Sequence, residues 1–259
     1  MEQPDGNAED ANVVYGIHAV EEALRAGTRP FQRIILVRQD RQFSRIVQWA
    51  REKHIPLVLE SYERLDRFVL RGRHQGVVGI VAAKVYTKEE DILAYARNQQ
   101  EPEFFIILDG VEDPQNLGAV LRTAEAAGVH GVFIPERRAV GLTAGVAKAS
   151  AGAMEYMRVA RVTNIGKLIQ RLQAQGIPAY AFDPQSEKPY TALDLTSPVA
   201  LVFGVEGQGI RQGVLAKCEE RAIIPLQGQV ASLNLSATAA VVLFEARRQR
   251  AGDLSACVT

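Results

Sequence analysis

The chain has 259 residues, 47% hydrophobic and 23% charged, proportions that exclude disordered and fibrous classes and leave room for one or two domains with a sizeable core. Thirty Lys and Arg cancel thirty Asp and Glu, so net charge alone points to no nucleic-acid partner. The balance is uneven, however: residues 1–10 hold four acids and no base, residues 11–83 twelve bases against seven acids, and residues 84–259 eighteen against nineteen. The basic stretch is a candidate binding surface. The two cysteines, Cys218 and Cys257, form no CxxC or Cys/His cluster, which supports neither a disulfide framework nor a zinc site and suits a reducing compartment. The acidic start is the opposite of a signal peptide, and no apolar run approaches the roughly eighteen residues that cross a bilayer. A soluble, cytoplasmic protein without membrane contact is expected.

In chain order, residues 1–11 offer nothing to bury and are expected to be a disordered tail. The pattern then predicts a helix over Ile17–Ala26 ending at Gly27, a residue favoured just past a helix terminus. A strand follows at Ile34–Val37, a helix at Ser44–Lys53, a strand at Leu57–Leu59, a helix at Tyr62–Leu70 and a strand at Val77–Val81. This alternation makes residues 12–83 a compact α/β domain, followed by a polar linker with one short helix over 84–102. Residues 103–259 open with the apolar strand Phe104–Leu108 and continue with strands at Gly131–Ile134, Ala179–Phe182, Val199–Phe203 and Ala222–Ile224. Such unbroken apolar runs suit a parallel sheet covered on both faces. Leu117, Val120, Leu121 and Ala124 follow helical spacing. The last helix, about Ser236–Arg250, is apolar nearly all round until Glu245, which predicts a buried first half.

No GxxxxGK[ST] loop or GxSxG elbow occurs. The run Gly204-Val205-Glu206-Gly207-Gln208-Gly209 follows a strand, but Gln212 stands where a dinucleotide fingerprint needs its third small residue, and no acid follows at ribose-binding distance. The four histidines are scattered and suit ordinary surface or core roles. Three segments ask for more than packing. In Leu108–Ala124, Asp113 and Pro114 make a good helix start, yet Asn116 and Gly118 are poor helix formers. In Leu201–Ile210, a strand ends in three glycines around the lone carboxylate Glu206, which opens the backbone to close approach by a ligand. In Ile223–Ser236, a strand stops at Pro225 and re-enters a helix through Ser232-Leu233-Asn234-Leu235-Ser236, where Ser232 or Asn234 can cap.

Taken together and in this order, N-x-G-x-x-x-R-T-A, F-G-x-E-x-x-G and I-P-(x)6-S-L-N-x-S resemble the SpoU (TrmH-like) family of RNA 2′-O-ribose methyltransferases. Tyr15-Gly16-Ile17-His18-Ala19-Val20 and His74-Gln75-Gly76-Val77-Val78 are similar to that family's ribosomal-protein-like substrate-binding domain. The resemblance implies an α/β fold with a trefoil-knotted parallel-sheet methyltransferase domain (SPOUT) behind a small α/β domain. It implies methyl transfer from S-adenosylmethionine to a ribose 2′-hydroxyl without a metal and, in its nearest form, modification of a guanosine in 23S ribosomal RNA, free or in an assembling large subunit. It also implies a homodimer. By the same resemblance Gly204, Gly207, Ile224, Leu226 and Leu233 hold the donor. Arg122, Asn116, Glu206, Ser232 and Asn234 form the catalytic set, with Arg122 on substrate phosphate and developing alkoxide rather than as a base, since guanidinium stays protonated. If Asn116 and Arg122 share one helix they point about 120° apart, and a helix beginning after Asn116 would ease their convergence. Arg25, Arg29, Arg33, Arg38, Arg41, Arg45, Arg71 and Arg73 are candidate phosphate contacts, with Tyr15, Phe31 and Phe43 for base stacking. The alternatives are a transfer-RNA 2′-O-methyltransferase and a non-catalytic RNA-binding assembly protein.

Overall fold

The computed structural model describes residues 12–251 except 70–72, 206 and 231; the expectations for the tail, Arg71, Glu206 and Cys257 lie outside the described residues. In chain order the elements are β1 (Val13–Tyr15), α1 (Ile17–Ala26), β2 (Phe31–Leu36), α2 (Ser44–Glu52), β3 (Leu57–Leu59), α3 (Tyr62–Asp66), β4 (Val77–Val81), α4 (Glu89–Arg97), β5 (Phe104–Leu108), α5 (Pro114–Ala126), β6 (Gly131–Pro135), α6 (Ala144–Ala149), β7 (Val159–Val162), α7 (Ile165–Gln173), β8 (Ala179–Phe182), β9 (Val199–Phe203), α8 (Gln212–Leu215), β10 (Glu220–Ala222) and α9 (Leu235–Arg250), with short 3₁₀ turns between. They form two compact units, one of residues 12–85, 117–122 and 140–156, the other of 86–116, 123–139 and 157–251.

The first unit holds a four-stranded sheet in the order β1-β4-β2-β3, antiparallel except for the parallel β2–β3 pair. Helix α1 starts at Gly16, whose φ of 91° few other residues adopt. Its first free N–H, on Ile17, donates to Gln75 Oε1 at 3.1 Å, and Gly27 closes it in the left-handed conformation with its N–H on Ala23 O. Glutamine and glycine of the His74-Gln75-Gly76 motif thus build a turn that caps a helix. Tyr15, Ile35, Leu65, Val78 and Ala144 share a core. Tyr15 and Phe43 are buried, which corrects their reading as stacking surfaces: both fill the apolar interior. Helix α3 stops at Asp66, short of the expected Leu70.

The strongest polar feature of this unit is a buried ion pair. Glu155, 2% exposed, takes Arg29 Nε on Oε2 at 3.1 Å, a closer contact from Arg29 Nη2 on Oε1, and the Thr28 hydroxyl at 2.9 Å. Lys84 Nζ donates to the Glu155 carbonyl at 2.6 Å. Arg29, a candidate phosphate contact by sequence, is therefore committed to the interior.

The second unit holds six strands, all parallel, in the order β10-β8-β9-β5-β6-β7. Strands β5, β6 and β9 are buried at every position, which explains their unbroken apolar runs. The short helix expected within 84–102 is α4, and its Ile92, Leu93 and Ala96 join Phe105 and Phe133 in the core. Strand β10 lies at Glu220–Ala222, two residues earlier than expected. Val241 and Phe244 on α9 are 37% and 53% exposed, so the all-apolar first half of that helix is not wholly buried as expected. No helix of the described residues is long and apolar enough to cross a membrane.

Breaking a buried pair leaves an uncompensated charge, so Glu155→Gln is expected to cost about 3–5 kcal/mol of stability. Denaturant unfolding monitored by circular dichroism checks this, and a change under about 1 kcal/mol would mean that the pair is solvated.

Candidate active site

In a parallel sheet, ligands gather where neighbouring strands send their loops to opposite sides. Strand β5 connects onward through β6 and β7 on one side, whereas its other neighbour, β9, adjoins β8 and β10. The loops after β5 and β9 therefore part at the carboxyl edge, and two cavities open there.

The larger, about 450 Å³, is walled by residues at the ends of β8, β9 and β10, by Leu226, Gln229 and Val230 and by Ser232, Leu233 and Leu235 before and at the start of α9, a size suited to a nucleoside-scale ligand. Its apolar walls include Phe182, Phe203, Ile224, Leu226 and Leu233. All five positions expected to hold the donor, Gly204, Gly207, Ile224, Leu226 and Leu233, line it, and so does Ser232. Gly204 is dictated by contact: a Cβ there would lie 2.1 Å from Gly209 C and 2.4 Å from Gly209 O. The loop doubles back through hydrogen bonds between Val205 and Gly209 of 2.8 and 3.1 Å. Gly207 and Gly209, at φ 76° and 68°, use conformations open to glycine.

The smaller cavity, about 140 Å³, is lined by Gly110, Val111, Glu112, Asp113 and Asn116 and shares Val205 and Leu235 with the larger one. Asn234 Nδ2 donates to Asn116 Oδ1 at 3.0 Å. Asn234 Oδ1 also accepts the Ser236 N–H at 2.8 Å, capping α9. One side chain thus both caps α9 and ties it to α5.

Asp113 caps α5, accepting the Gln115 N–H at 3.0 Å with Pro114 in the first turn. The helix therefore starts before Asn116, and Asn116 and Arg122 lie on faces about 120° apart. Arg122 is exposed and lines neither cavity. Gly118 is a packing requirement, since its Cβ would lie 2.4 Å from Ala149 Cβ and 2.8 Å from Ser150 N. Glu206 is not among the described residues.

Two residues that sequence reasoning passed over anchor the loop. Asp109, at the end of β5, has no exposed surface. Its carboxylate accepts the Arg211 backbone N–H at 2.8 Å and Arg211 Nε at 3.0 and 3.1 Å. The hydrogen bonds to Asp109 push the Arg211 guanidinium pKa above its ordinary value. The signal available was an aspartate ending an apolar strand, where an unpaired carboxylate is not tolerated. Arg138, held at φ 67°, adds a second tie by donating to Gln208 Oε1 at 3.0 Å. His130 is structural: its Nδ1 accepts the Phe104 N–H at 3.1 Å, and burial lowers its pKa. Burial pushes the Cys218 thiol up to about 12, leaving it unreactive. No metal-binding cluster occurs among the described residues.

Residues 103–244 match the SpoU rRNA Methylase family, and residues 13–87 match the RNA 2′-O ribose methyltransferase substrate binding family. The chain belongs to the SpoU family. It is an enzyme that methylates RNA from S-adenosylmethionine. Bacillus subtilis (strain 168) YacO, assigned to the TrmH family of tRNA/rRNA methyltransferases, is 39% identical over 92% of this chain and 95% of its own. The 23S rRNA (guanosine-2′-O-)-methyltransferase RlmB of Pectobacterium atrosepticum is 37% identical over 93% of this chain and 100% of its own. Among solved structures, the AdoMet-bound rRNA methyltransferase from Sinorhizobium meliloti superposes with a TM-score of 0.75 at 27% identity, covering 91% of this chain and 86% of that one.

Gly204→Ala cannot be absorbed by a flexible neighbour, because the clash is with backbone. Isothermal titration with S-adenosylmethionine is expected to show at least a tenfold loss of affinity, on the order of 1.4 kcal/mol. Wild-type affinity would mean that the turn relaxes without deforming the cavity.

Proposed function

We propose that this enzyme transfers a methyl group from S-adenosylmethionine to the 2′-hydroxyl of a guanosine in 23S ribosomal RNA, acting in the cytoplasm as a homodimer. The reading is carried by a cavity lined by all five of the positions expected to hold the donor. The RlmB relative, aligned along its whole length, supports the choice of a 23S guanosine.

The cavity fits the donor by chemistry. Phe182, Phe203, Ile224, Leu226 and Leu233 would hold the donor's apolar parts, while the chain at Gly204 and Ile224 would offer backbone groups to its polar atoms. The sulfonium donor supplies an activated methyl carbon, so no metal is needed for the transfer. The chain's task is to align the hydroxyl with that carbon and to lower the cost of the negative charge on O2′. As the O2′–carbon bond forms, the sulfur–carbon bond breaks and a neutral thioether remains. The hydroxyl proton leaves to a substrate phosphate oxygen or to water.

In this reading the Asn116–Asn234 pair and Ser232 border the place of the acceptor ribose, Glu206 orders the loop, and Arg122 holds phosphate and stabilises the alkoxide. Arg122 and Asn116 diverge on α5, which supports Arg122 serving the site of a partner subunit. A dimer is supported by α9, where Ala237, Val241 and Phe244, spaced i, i+4, i+7, form an exposed small and apolar stripe. The basic domain grips the RNA: Arg33, Arg38, Arg41 and Arg45 on its surface are exposed.

Incubation with methyl-labelled S-adenosylmethionine and unmodified 23S RNA, in parallel with a transfer-RNA pool, tests the substrate. Mass spectrometry is expected to place one ribose methyl on a 23S guanosine; label on transfer RNA would overturn that choice and keep the chemistry. Arg122→Ala is expected to lower the transfer rate about 10²–10³-fold with donor binding retained, and an unchanged rate would remove Arg122 from the mechanism. Phe244→Asp is expected to convert the dimer to monomer in sedimentation analysis at micromolar concentration, whereas an intact dimer would move the interface elsewhere.

A further inference from the structure

Of the three aromatic residues that the sequence suggested for base stacking, Tyr15 and Phe43 are in the core. The first unit nonetheless presents a large aromatic ring to solvent. Tyr62, the first residue of α3, is 54% exposed. Its ring does not project unsupported: it rests on His74, with ring centroids 5.0 Å apart and planes inclined by 45°.

His74 is 3% exposed and held at both nitrogens. Its Nδ1 accepts the Gly76 N–H at 3.0 Å, which places the proton on Nε2, 3.1 Å from Asp66 Oδ1. The turn beneath is equally constrained. A Cβ on Gly76 would lie 2.7 Å from Val37 Cγ2, 3.1 Å from Phe43 Cζ and 3.5 Å from the Tyr62 hydroxyl. The ring of Tyr62 therefore has a fixed imidazole inclined against it on one side and a large open surface, a form suited to a stacking platform.

The charges around it are mixed. Val37 and Phe43 touch the Gly76 position; Arg38, next to Val37, is exposed, as are Arg41, two residues before Phe43, and Arg73 beside His74. Asp40 pairs with Arg38 and Glu60 with Arg64; Glu63 and Asp66 also lie on α3. A fixed aromatic face in a stretch that matches the RNA 2′-O ribose methyltransferase substrate binding family fits an unpaired nucleobase.

We propose that Tyr62, seated on His74, is the platform on which an unpaired base of the RNA substrate stacks. This rests on the reading of the chain as an RNA methyltransferase and adds the residue that grips the RNA outside the reaction centre. The motif His74-Gln75-Gly76 then has an indirect part in binding: it builds the support for the ring.

The test measures binding of full-length wild type, Tyr62→Ala and Tyr62→Phe to an unmodified 23S RNA transcript at fixed salt, by fluorescence anisotropy. Tyr62→Ala is expected to weaken binding about tenfold, within the range that alanine substitution gives for one stacked base. Tyr62→Phe is expected to bind as wild type, because stacking needs the ring and not the hydroxyl. Affinity for S-adenosylmethionine and the thermal melt are expected to stay unchanged in both. RNA binding by Tyr62→Ala equal to wild type would overturn the platform, as would Tyr62→Phe losing as much as Tyr62→Ala. Failure of the wild type itself to bind RNA would instead overturn the RNA reading, and the platform with it.

Discussion

A carboxylate with no contact to water must have its charge answered by the protein, and the second unit is arranged around one such group. Asp109 leaves β5 fully buried, with its own N–H bonded to the Phe203 carbonyl at 2.8 Å. Both of its oxygens are taken by Arg211, from the backbone as well as the side chain. The two strands that part at the carboxyl edge are thereby joined again beyond their ends. Between Phe203 and Arg211 the chain has little freedom. It must turn back on itself closely enough that Gly204 admits no Cβ, and it does so through two left-handed glycines. Of the described side chains between Phe203 and Arg211 only Ile210 is buried, so the loop's shape depends largely on anchors at its ends. Asp109 is the anchor that cannot be solvated instead.

The same economy explains the motif residues that looked unlike packing residues. Asn116, Gly118 and Arg122 sit on one helix and meet three separate demands. Asn116 bonds to Asn234, Gly118 lets the helix lie against Ala149 and Ser150, and Arg122 projects outward. Two poor helix formers are tolerated in α5 because tertiary contacts outweigh losses of about 1 kcal/mol or less per residue. Helix capping and the tie between α9 and α5 likewise share Asn234 rather than compete for it.

What the sequence made legible followed local pattern. Strands buried on both faces announce themselves as apolar runs, and α1, β3, β4, β5, β8 and β9 begin and end where the residues indicated. Strand β7 went unseen because it starts beside Arg158 and carries the exposed Arg161, the mixed composition of an edge strand. Strand β1 is too short, at three residues, to show a period. Aromatic residues were misjudged in the first unit for a related reason. Composition does not say which side of a sheet a ring faces, so the buried Tyr15 and Phe43 looked available while the exposed Tyr62 was passed over. Pairings between distant segments left no local trace at all: Arg29 with Glu155 and Asp109 with Arg211 are each more than a hundred residues apart. The glycines that line the larger cavity were legible as a spacing, whereas the carboxylate that anchors their loop was visible only once the strands were in place.

A chain of zero formal charge would be a poor candidate for binding a polyanion if the whole molecule acted at once. It does not, because at physiological ionic strength charges more than about 8 Å apart are largely screened from one another. Only the charges close to a bound strand count, and the exposed residues of the stretch 12–83 include Arg33, Arg38, Arg41, Arg45 and Arg73. The buried pairs sharpen this further. Arg29 belongs to the interior and is lost to the RNA, but Glu155 and Asp109 are buried too and repel nothing at the surface. Sorting charges by burial, rather than summing them, is what reconciles a neutral protein with a polyanionic substrate.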